Sequence, residues 1–169
     1  MTNTSSVLRT QFLSFVLAGE EYAVEILRVK EIIEYDNLTR VPAMPPAVRG
    51  VINLRGRVVP VIDLALRFGL PESVITPRSC IVMVEISGDD GQGAIVMGII
   101  TDAVSEVLDL TAEQIQPPPS FGTAVGAEFL DGMAETGGAG RKFVMLLNVD
   151  RSLGAAAFTA PQLTAAAAE

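Results

Sequence analysis

Histidine is absent from this 169-residue sequence, and cysteine occurs only once, at Cys80. Without histidine, neither a serine–histidine nor a cysteine–histidine nucleophile pair can form. The same shortage excludes a zinc site of the ordinary ligand types, and a lone cysteine cannot form an internal disulfide, which fits a reducing compartment. The composition therefore argues against an enzyme, and we expect neither a metal nor another cofactor.

Long hydrophobic runs are missing as well. The longest apolar-plus-glycine stretch, Ala94 to Ile100, covers about a third of the ~20 residues that a transmembrane helix needs. The first residues, Met1 to Thr10, contain one arginine and no apolar core of signal-peptide length. Hydrophobic residues make up 49% of the chain and charged residues 19%, which is typical of a globular protein. We therefore expect a soluble cytoplasmic protein with no membrane-inserted segment.

Positive charge is missing from a long central stretch. Residues 79–140 contain ten carboxylates and neither lysine nor arginine, a balance of −10, whereas residues 40–78 contain six arginines against Asp63 and Glu72, a balance of +4. The net charge of −8 makes nucleic acid a poor partner, because a phosphate backbone requires a cationic face. Arg49, Arg55 and Arg57 could bind an acidic protein surface, or the segments of opposite charge could meet within the fold.

Short apolar strands are abundant. Alternating apolar residues bounded by glycine, proline and acidic turns predict strands, whereas Leu64 to Phe68, stopped by glycine and proline, predicts one helical turn. Tyr22 to Tyr35 is ambiguous, since its pattern alone favours a helix but also suits two strands around a turn. The alanine-rich tail from Gly154 suits either a terminal helix or a frayed end. The clearest strands are Phe12–Leu17, Cys80–Ile86, Ala94–Thr101, Ala103–Leu110 and Phe143–Val149.

Residues 49–64, RGVINLRGRVVPVIDL, predict a β-hairpin that turns at Arg55-Gly56-Arg57. Gly56 supplies the backbone freedom that a tight turn needs. Two bulky cations are not required by such a turn, so Arg55 and Arg57 suggest a partner that carries carboxylates.

An internal repeat organises the strands. Phe12 to Asp63 and Ile81 to Asp150 each run through about five short strands, a proline-rich loop and a glycine turn. Five strands are enough to close a small barrel. We therefore predict an all-β fold of two packed barrels, with a boundary between them near residues 70–80.

The hairpin sequence resembles the signature hairpin of the CheW family, the coupling proteins of bacterial chemosensory arrays. Phe15 to Ile32 and Met97 to Ile115 follow the family pattern in the same order, so the resemblance runs from about Phe12 to Leu153. It implies two small SH3-like five-stranded barrels side by side, with short helical turns, and two strands in the ambiguous Tyr22–Tyr35 segment. Residues 1–11 would then be a flexible N-terminus, and residues 154–169 an alanine-rich tail that could form a C-terminal helix.

The resemblance implies a non-catalytic adaptor between the cytoplasmic tips of chemoreceptors (methyl-accepting chemotaxis proteins) and the regulatory domain of the histidine kinase CheA. Such a protein works in the cytoplasm at membrane-bound receptor arrays. Two alternatives stay open at this point. One is a coupling protein of a pathway that controls pili or development, and the other is a small-ligand or peptide-binding β-barrel.

The resemblance also implies the contact residues. For Val29, Ile81 and Val104 the alternative to partner contact is ordinary core burial, and for Arg55 it is a solvated turn charge. At a second interface, which joins the adaptor to the kinase in rings, many family members have an arginine where this chain has Gln116. The remaining kinase contact uses an apolar barrel surface that the sequence does not assign. The receptor-groove positions are Val29, Glu31, Asn53, Arg55, Ile81 and Val104, and the kinase or ring positions are Gln116 and Phe121.

Overall fold

The computed structural model describes residues 9–36, 38–40, 42–45, 47–86, 95–117, 129–136 and 142–153. These ranges contain eleven strands, two short α-helices and two 3-10 turns. The strands are β1 (Arg9–Leu17), β2 (Glu20–Glu25), β3 (Val29–Glu34), β4 (Val48–Leu54), β5 (Arg57–Ile62), β6 (Cys80–Ile86), β7 (Ile95–Thr101), β8 (Ala103–Thr111), β9 (Ile115–Gln116), β10 (Leu130–Thr136) and β11 (Lys142–Leu147). The helices are α1 (Leu64–Arg67) and α2 (Val149–Leu153), and the 3-10 turns are Ile26–Arg28 and Ala112–Gln114.

The strands form two sheets. The first sheet has the order β8-β1-β2-β11-β10-β9 and the second has the order β3-β6-β7-β5-β4. The β2–β11 and β5–β7 pairs are parallel, and the other pairs are antiparallel. The predicted all-β fold is confirmed, although the first sheet has six strands rather than five because the two-residue β9 pairs with β10.

The two sheets exchange strands. β1 and β2 precede residues 70–80 but pair with strands that follow them, and β6 and β7 follow these residues but complete the second sheet. A chain boundary near residues 70–80 therefore does not separate the two sheets. The chain crosses from the first sheet to the second at Ile26–Arg28, and it returns at Asp102, between β7 and β8. Each sheet consequently needs strands from both halves of the sequence.

Three apolar clusters form the core of the described part of the chain. Two of them lie on single sheets, one on the first sheet around Phe12 and Leu146 and one on the second around Val61 and Met83. The largest cluster lies between the sheets, and its buried side chains come from both. Because successive side chains of a strand point to opposite faces, β6 has both faces buried, which explains its nearly continuous apolar sequence.

The side chains of strand β1 also alternate between two faces, and a β-bulge interrupts the strand near its centre. Phe12 faces the cluster of the first sheet, whereas Leu13, Phe15 and Leu17 face the inter-sheet cluster. The register shifts between Leu13 and Phe15, where the buried Ser14 hydroxyl donates to the Glu106 carbonyl at 3.0 Å and accepts from the Glu106 amide at 3.1 Å. These bonds satisfy the backbone groups that a β-bulge leaves unpaired.

The chain ends of the domain differ from the predictions in two places. Strand β1 begins at Arg9, inside the 1–11 segment for which we expected flexibility. Strand β11 ends at Leu147, and Val149 begins α2 rather than extending the strand. The tail of residues 154–169 lies outside the described residues, so its predicted helix stays a prediction.

Candidate partner-binding surfaces

The signature hairpin forms as predicted from β4 and β5. Leu54 pairs with Arg57, and the two residues between them have positive φ, 53° at Arg55 and 85° at Gly56. Positive φ at both loop positions matches the right-handed twist of the flanking strands. The Asn53 side-chain oxygen accepts from the Gly56 amide at 2.9 Å and so fixes the turn. The turn therefore holds Arg55 in one place, with its side chain 72% exposed.

Arg55 pairs with a carboxylate of the same chain, that of Glu31. Its two terminal nitrogens donate to the two Glu31 oxygens at 2.8 and 3.0 Å. The hydrogen bond and the charge of Glu31 raise the pKa of Arg55. Glu31 belongs to β3 and Arg55 follows β4, and these strands are the two edges of the second sheet. The ion pair therefore joins the edges of this sheet, which is the closure expected of a barrel.

An open groove of about 580 Å³ lies beside this ion pair. Val59 and Met83 supply buried apolar wall, and Val58 adds an apolar side chain that is 70% exposed. Arg57 also lines the groove and makes no ion pair with another described residue. We call this the Arg55 groove. Its cations and apolar surface suit a protein segment that combines carboxylates with apolar side chains.

Arg49 does not belong to this surface. Its side chain is only 13% exposed, and its Nη1 atom lies 2.7 Å from Oδ2 of Asp63, which is fully buried, and 3.0 Å from Oε2 of Glu72. Asp63 also accepts from Ser73 and caps α1 by accepting from the Ala65 amide at 3.1 Å. Arg49 therefore does not belong to the predicted patch of Arg49, Arg55 and Arg57, because it is part of an internal ion-pair network.

The remaining predicted groove residues are more buried. Val29 and Val104 are half-buried and pack against the inter-sheet cluster. Val104 lies opposite Phe15 on β1, and Val29 lies opposite Val84 on β6. Ile81 has no exposed surface, and it packs inside the second sheet. The structure thus brings Glu31, Asn53 and Arg55 together and keeps Ile81 away from the surface.

A second groove, of about 1000 Å³, lies between the β1–β2 turn and the loop of residues 70–78. Ser73 fastens this loop, since its amide and hydroxyl donate to Asp63 at 2.9 and 2.8 Å. Val74 in the same loop is 74% exposed. The opposite wall includes Asp102 and Ala103, which directly precede Val104. Of the predicted receptor positions, Glu31 and Arg55 line the Arg55 groove, whereas Val104 only follows the residues that line the second groove.

Only one of the two predicted ring residues lies in the part of the chain that the structure describes. Gln116 lies at the end of β9, where it is exposed and pairs with Met133 of β10. Phe121 lies outside the described residues, so its role stays a prediction.

Leu27 is a surface residue that the sequence reading missed. It lies in the middle of the 3-10 turn Ile26–Arg28, and its side chain is 88% exposed, the highest value among the exposed large hydrophobic residues of the described ranges. Its neighbour Ile26 packs against the inter-sheet cluster. From the sequence alone, an apolar residue beside Ile26 would be assigned to the core. Leu27 is exposed because it lies in the 3-10 turn at which the chain crosses between the sheets. An exposed leucine at a fixed turn offers an apolar anchor to a protein partner.

The described residues offer little else that is reactive. They contain no group of three or more histidine, cysteine, aspartate or glutamate side chains that could hold a metal ion. Burial, and then the charge of Glu34, raise the pKa of the Cys80 thiol, which disfavours the reactive thiolate. Across the described ranges, no helix has both the length and the apolar character that a membrane span demands.

Comparison with known proteins gives a consistent result. The CheW-like domain family matches residues 11–157. The chain is 40% identical over 143 residues to chemotaxis protein CheW of Klebsiella aerogenes, covering 85% of this chain and 81% of that protein. It is 30% identical to protein FrzA of Myxococcus xanthus, with 85% and 84% of the two chains covered. The crystal structure of the scaffolding protein TtCheW from Thermoanaerobacter tengcongensis superposes with a TM-score of 0.72 at 34% identity, over 84% of this chain and 86% of that one. The family match over most of the chain, together with the shared fold, shows that this chain belongs to the CheW family of chemotaxis proteins.

Proposed function

We propose that this chain is a non-catalytic adaptor that couples chemoreceptor tips to the histidine kinase CheA. Its place would be the cytoplasm, at membrane-bound receptor arrays. The observation that carries the proposal is the presence of two separate exposed surfaces on one fold, the Arg55 groove and Leu27. An adaptor needs two such surfaces, and an enzyme would need a reactive cluster instead.

The Arg55 groove is the proposed receptor contact. Arg57 has no ion-pair partner among the described residues, and Arg55 is largely exposed although it is paired with Glu31. A carboxylate on the receptor tip could bind Arg57 directly and share the Arg55 guanidinium with Glu31, since a guanidinium has five donors. The apolar wall around Val58 would then cover the apolar part of the tip.

The kinase contacts are proposed at two other places. Leu27 supplies the apolar barrel surface that the family resemblance requires but the sequence does not assign. Gln116, together with Phe121, would form the ring contact. Because Gln116 is neutral, this contact lacks the charge that an arginine would add, and an apolar anchor must contribute more of its binding free energy.

A charge-exchange experiment tests the receptor contact. Arg55→Glu places two carboxylates together and should weaken binding of a purified receptor-tip fragment at least about tenfold, because a like-charge contact costs several kcal/mol. The double variant Glu31→Arg with Arg55→Glu restores the internal ion pair but not the cation on the turn. We expect its binding to stay weak. Arg78→Glu, an equal change of charge on the second groove, is the matched control.

The outcomes separate the two explanations for Arg55. If the double variant recovers full binding, the ion pair acts only by supporting the fold, and the receptor contact is wrong. If Arg78→Glu weakens binding as much as Arg55→Glu, the effect reports net charge rather than a site. For the kinase contact, Leu27→Arg should abolish binding of the kinase regulatory domain, whereas Val74→Arg, at a comparably exposed position, should not.

A further inference from the structure

One arginine forms a bidentate ion pair and a backbone hydrogen bond at the point where the chain crosses between the two sheets. Arg28 ends the 3-10 turn that leads from β2 in the first sheet to β3 in the second. Its Nη1 atom donates to the Glu85 carbonyl at 3.1 Å and to Asp150 Oδ1 at 3.1 Å. Its Nη2 atom donates to Asp150 Oδ2 at 2.8 Å. All three hydrogen bonds are partly buried.

The two acceptors belong to different parts of the fold. Glu85 lies in β6 of the second sheet, whereas Asp150 lies in α2, a helix outside both sheets that follows β11 after Asn148. This helix is bonded to the first sheet, because Arg151 Nη2 donates to the Leu130 carbonyl of β10 at 3.1 Å. The side chains of Arg28 and Asp150 are 29% and 38% exposed, so water screens the pair only in part. The Asp150 hydrogen bond is the largest cause that raises the pKa of Arg28. The guanidinium therefore fastens β6 of the second sheet to the helix that follows the last strand of the first sheet.

The geometry of the Arg28–Asp150 pair adds a directional constraint, which the apolar core does not supply. The inter-sheet cluster holds the sheets together through contacts that have no preferred direction. A bidentate arginine–carboxylate pair is directional, because two parallel hydrogen bonds fix the plane of both groups. The bond to the Glu85 carbonyl fixes a third point, on β6 of the second sheet. Together these bonds restrict rotation of one sheet against the other.

Arg28 lies between two residues of the proposed partner surfaces, so its bonds could restrict how these surfaces are oriented. Leu27, the proposed kinase contact, directly precedes Arg28, and Val29, a predicted receptor position, directly follows it. We propose that Arg28 is a positioning residue, whose bonds to Asp150 and Glu85 fix the angle between the two sheets so that receptor and kinase can bind at the same time. This inference rests on the proposed function for its consequence, but its structural part can be tested without either partner.

The structural test measures a distance between the sheets. Spin labels on cysteines at Val58 in the second sheet and Val107 in the first, both exposed, report the distance by pulsed electron paramagnetic resonance in a Cys80→Ser background. We expect one narrow distribution for the parent protein and a broadened or shifted distribution for Arg28→Gln. Lys30→Gln is the matched control, because the Lys30–Glu85 pair at 3.2 Å joins strands of the second sheet only. An unchanged distribution in Arg28→Gln overturns the proposal.

The functional test compares binary binding with ternary assembly. For Arg28→Gln we expect the affinity for a receptor-tip fragment alone and for the kinase regulatory domain alone to change by no more than about twofold. The yield of the complex of all three proteins should fall by at least about fivefold. Arg9→Gln, which removes the Arg9–Asp109 pair within the first sheet, should leave all three values unchanged.

The possible failures are distinguishable. If the parent protein binds neither partner, the proposed function fails, while the distance measurement still decides the role of Arg28. If the distance changes but the ternary complex forms normally, or if all affinities fall in parallel with the melting temperature, Arg28 is a structural residue only, and the positioning role is rejected. Should Arg28→Gln fail to fold, Arg28→Lys takes its place, since lysine keeps the charge but not the bidentate geometry.

Discussion

The buried carboxylate of Asp63 offers a quantitative test of the hairpin network. Asp63 has no exposed surface and accepts four hydrogen bonds, from Arg49, from the Ser73 amide and hydroxyl, and from the Ala65 amide. Asp63→Ala removes the acceptor of all four at once. It leaves the largely buried Arg49 without its shortest partner, and it removes the cap of α1.

The expected magnitude follows from these contacts. Removing one partner of a buried ion pair costs about 3–5 kcal/mol, because the remaining charge is left uncompensated. Glu72 remains 3.0 Å from Arg49, so we expect the lower end of this range, about 3 kcal/mol of unfolding free energy. For a chain of this size that corresponds to a decrease of about 6–12 °C in the melting temperature.

Urea unfolding followed by circular dichroism measures this value, provided that the slope against urea is unchanged. Glu72→Ala is the matched control, since its side chain is 55% exposed and a surface ion pair contributes only about 0–1 kcal/mol. Equal stability losses for Asp63→Ala and Glu72→Ala would refute the reasoning. A loss in Asp63→Ala with normal packing of the 70–78 loop, seen in amide exchange at Ser73, would show that Asp63 does not hold that loop.

Three further predictions concern single residues. Burial raises the pKa of Tyr22 to about 12, so the folded state disfavours the phenolate; the unfolding free energy should fall as the pH rises from about 10 to 12, and this fall should be smaller in Tyr22→Phe. The raised pKa of Cys80 predicts slower alkylation of the native protein by iodoacetamide at pH 8 than of the urea-unfolded chain. In Gly98→Ala the new methyl carbon would lie 2.7 Å from Ile81 Cγ2, so we expect a loss of about 1–3 kcal/mol in urea unfolding.

Each of these predictions has a result that contradicts it. Identical pH profiles for Tyr22→Phe and the parent protein would show that another group titrates in this range. Equal alkylation rates in the folded and unfolded states would mean that the Cys80 thiol is not protected. A Gly98→Ala variant as stable as the parent protein would show that the Ile81 side chain can move aside without cost.

The sequence predicts local structure well where one residue type decides the conformation. Gly56 between two apolar runs determines the hairpin, and alternating side chains determine β1 and β6. Tyr22 to Tyr35 stays ambiguous because the helical spacing of Ile26, Val29 and Ile33 has another cause. A 3-10 turn between two strands, in which Ile26 and Val29 face the same inter-sheet cluster, produces the same spacing.

The sequence predicts the site less well, because the identity of a charged or apolar residue does not show which other residues its side chain contacts. Arg49 and Arg55 look alike in the signature hairpin, yet one is bound to a buried aspartate and the other lies exposed at a turn. The described ion pairs of both arginines go to Asp63, Glu72 and Glu31, and none of these lies in the acidic stretch of residues 79–140. The exchange of strands depends on pairing between distant segments, which no local pattern records.

The strand exchange also explains where the predicted partner residues lie. Val29 directly follows the first crossing between the sheets, and Val104 comes two residues after the second crossing at Asp102. Both crossings are fastened: Arg28 holds the first, and at the second Asp102 accepts from the Ala18 amide at 3.0 Å while its own amide donates to the Val16 carbonyl at 2.9 Å. A partner that contacts a crossing touches both sheets at once. A change in the angle between the sheets would therefore move the partner surfaces relative to each other, so a substitution at a crossing should disturb the joint assembly of both partners more than the binding of either partner alone.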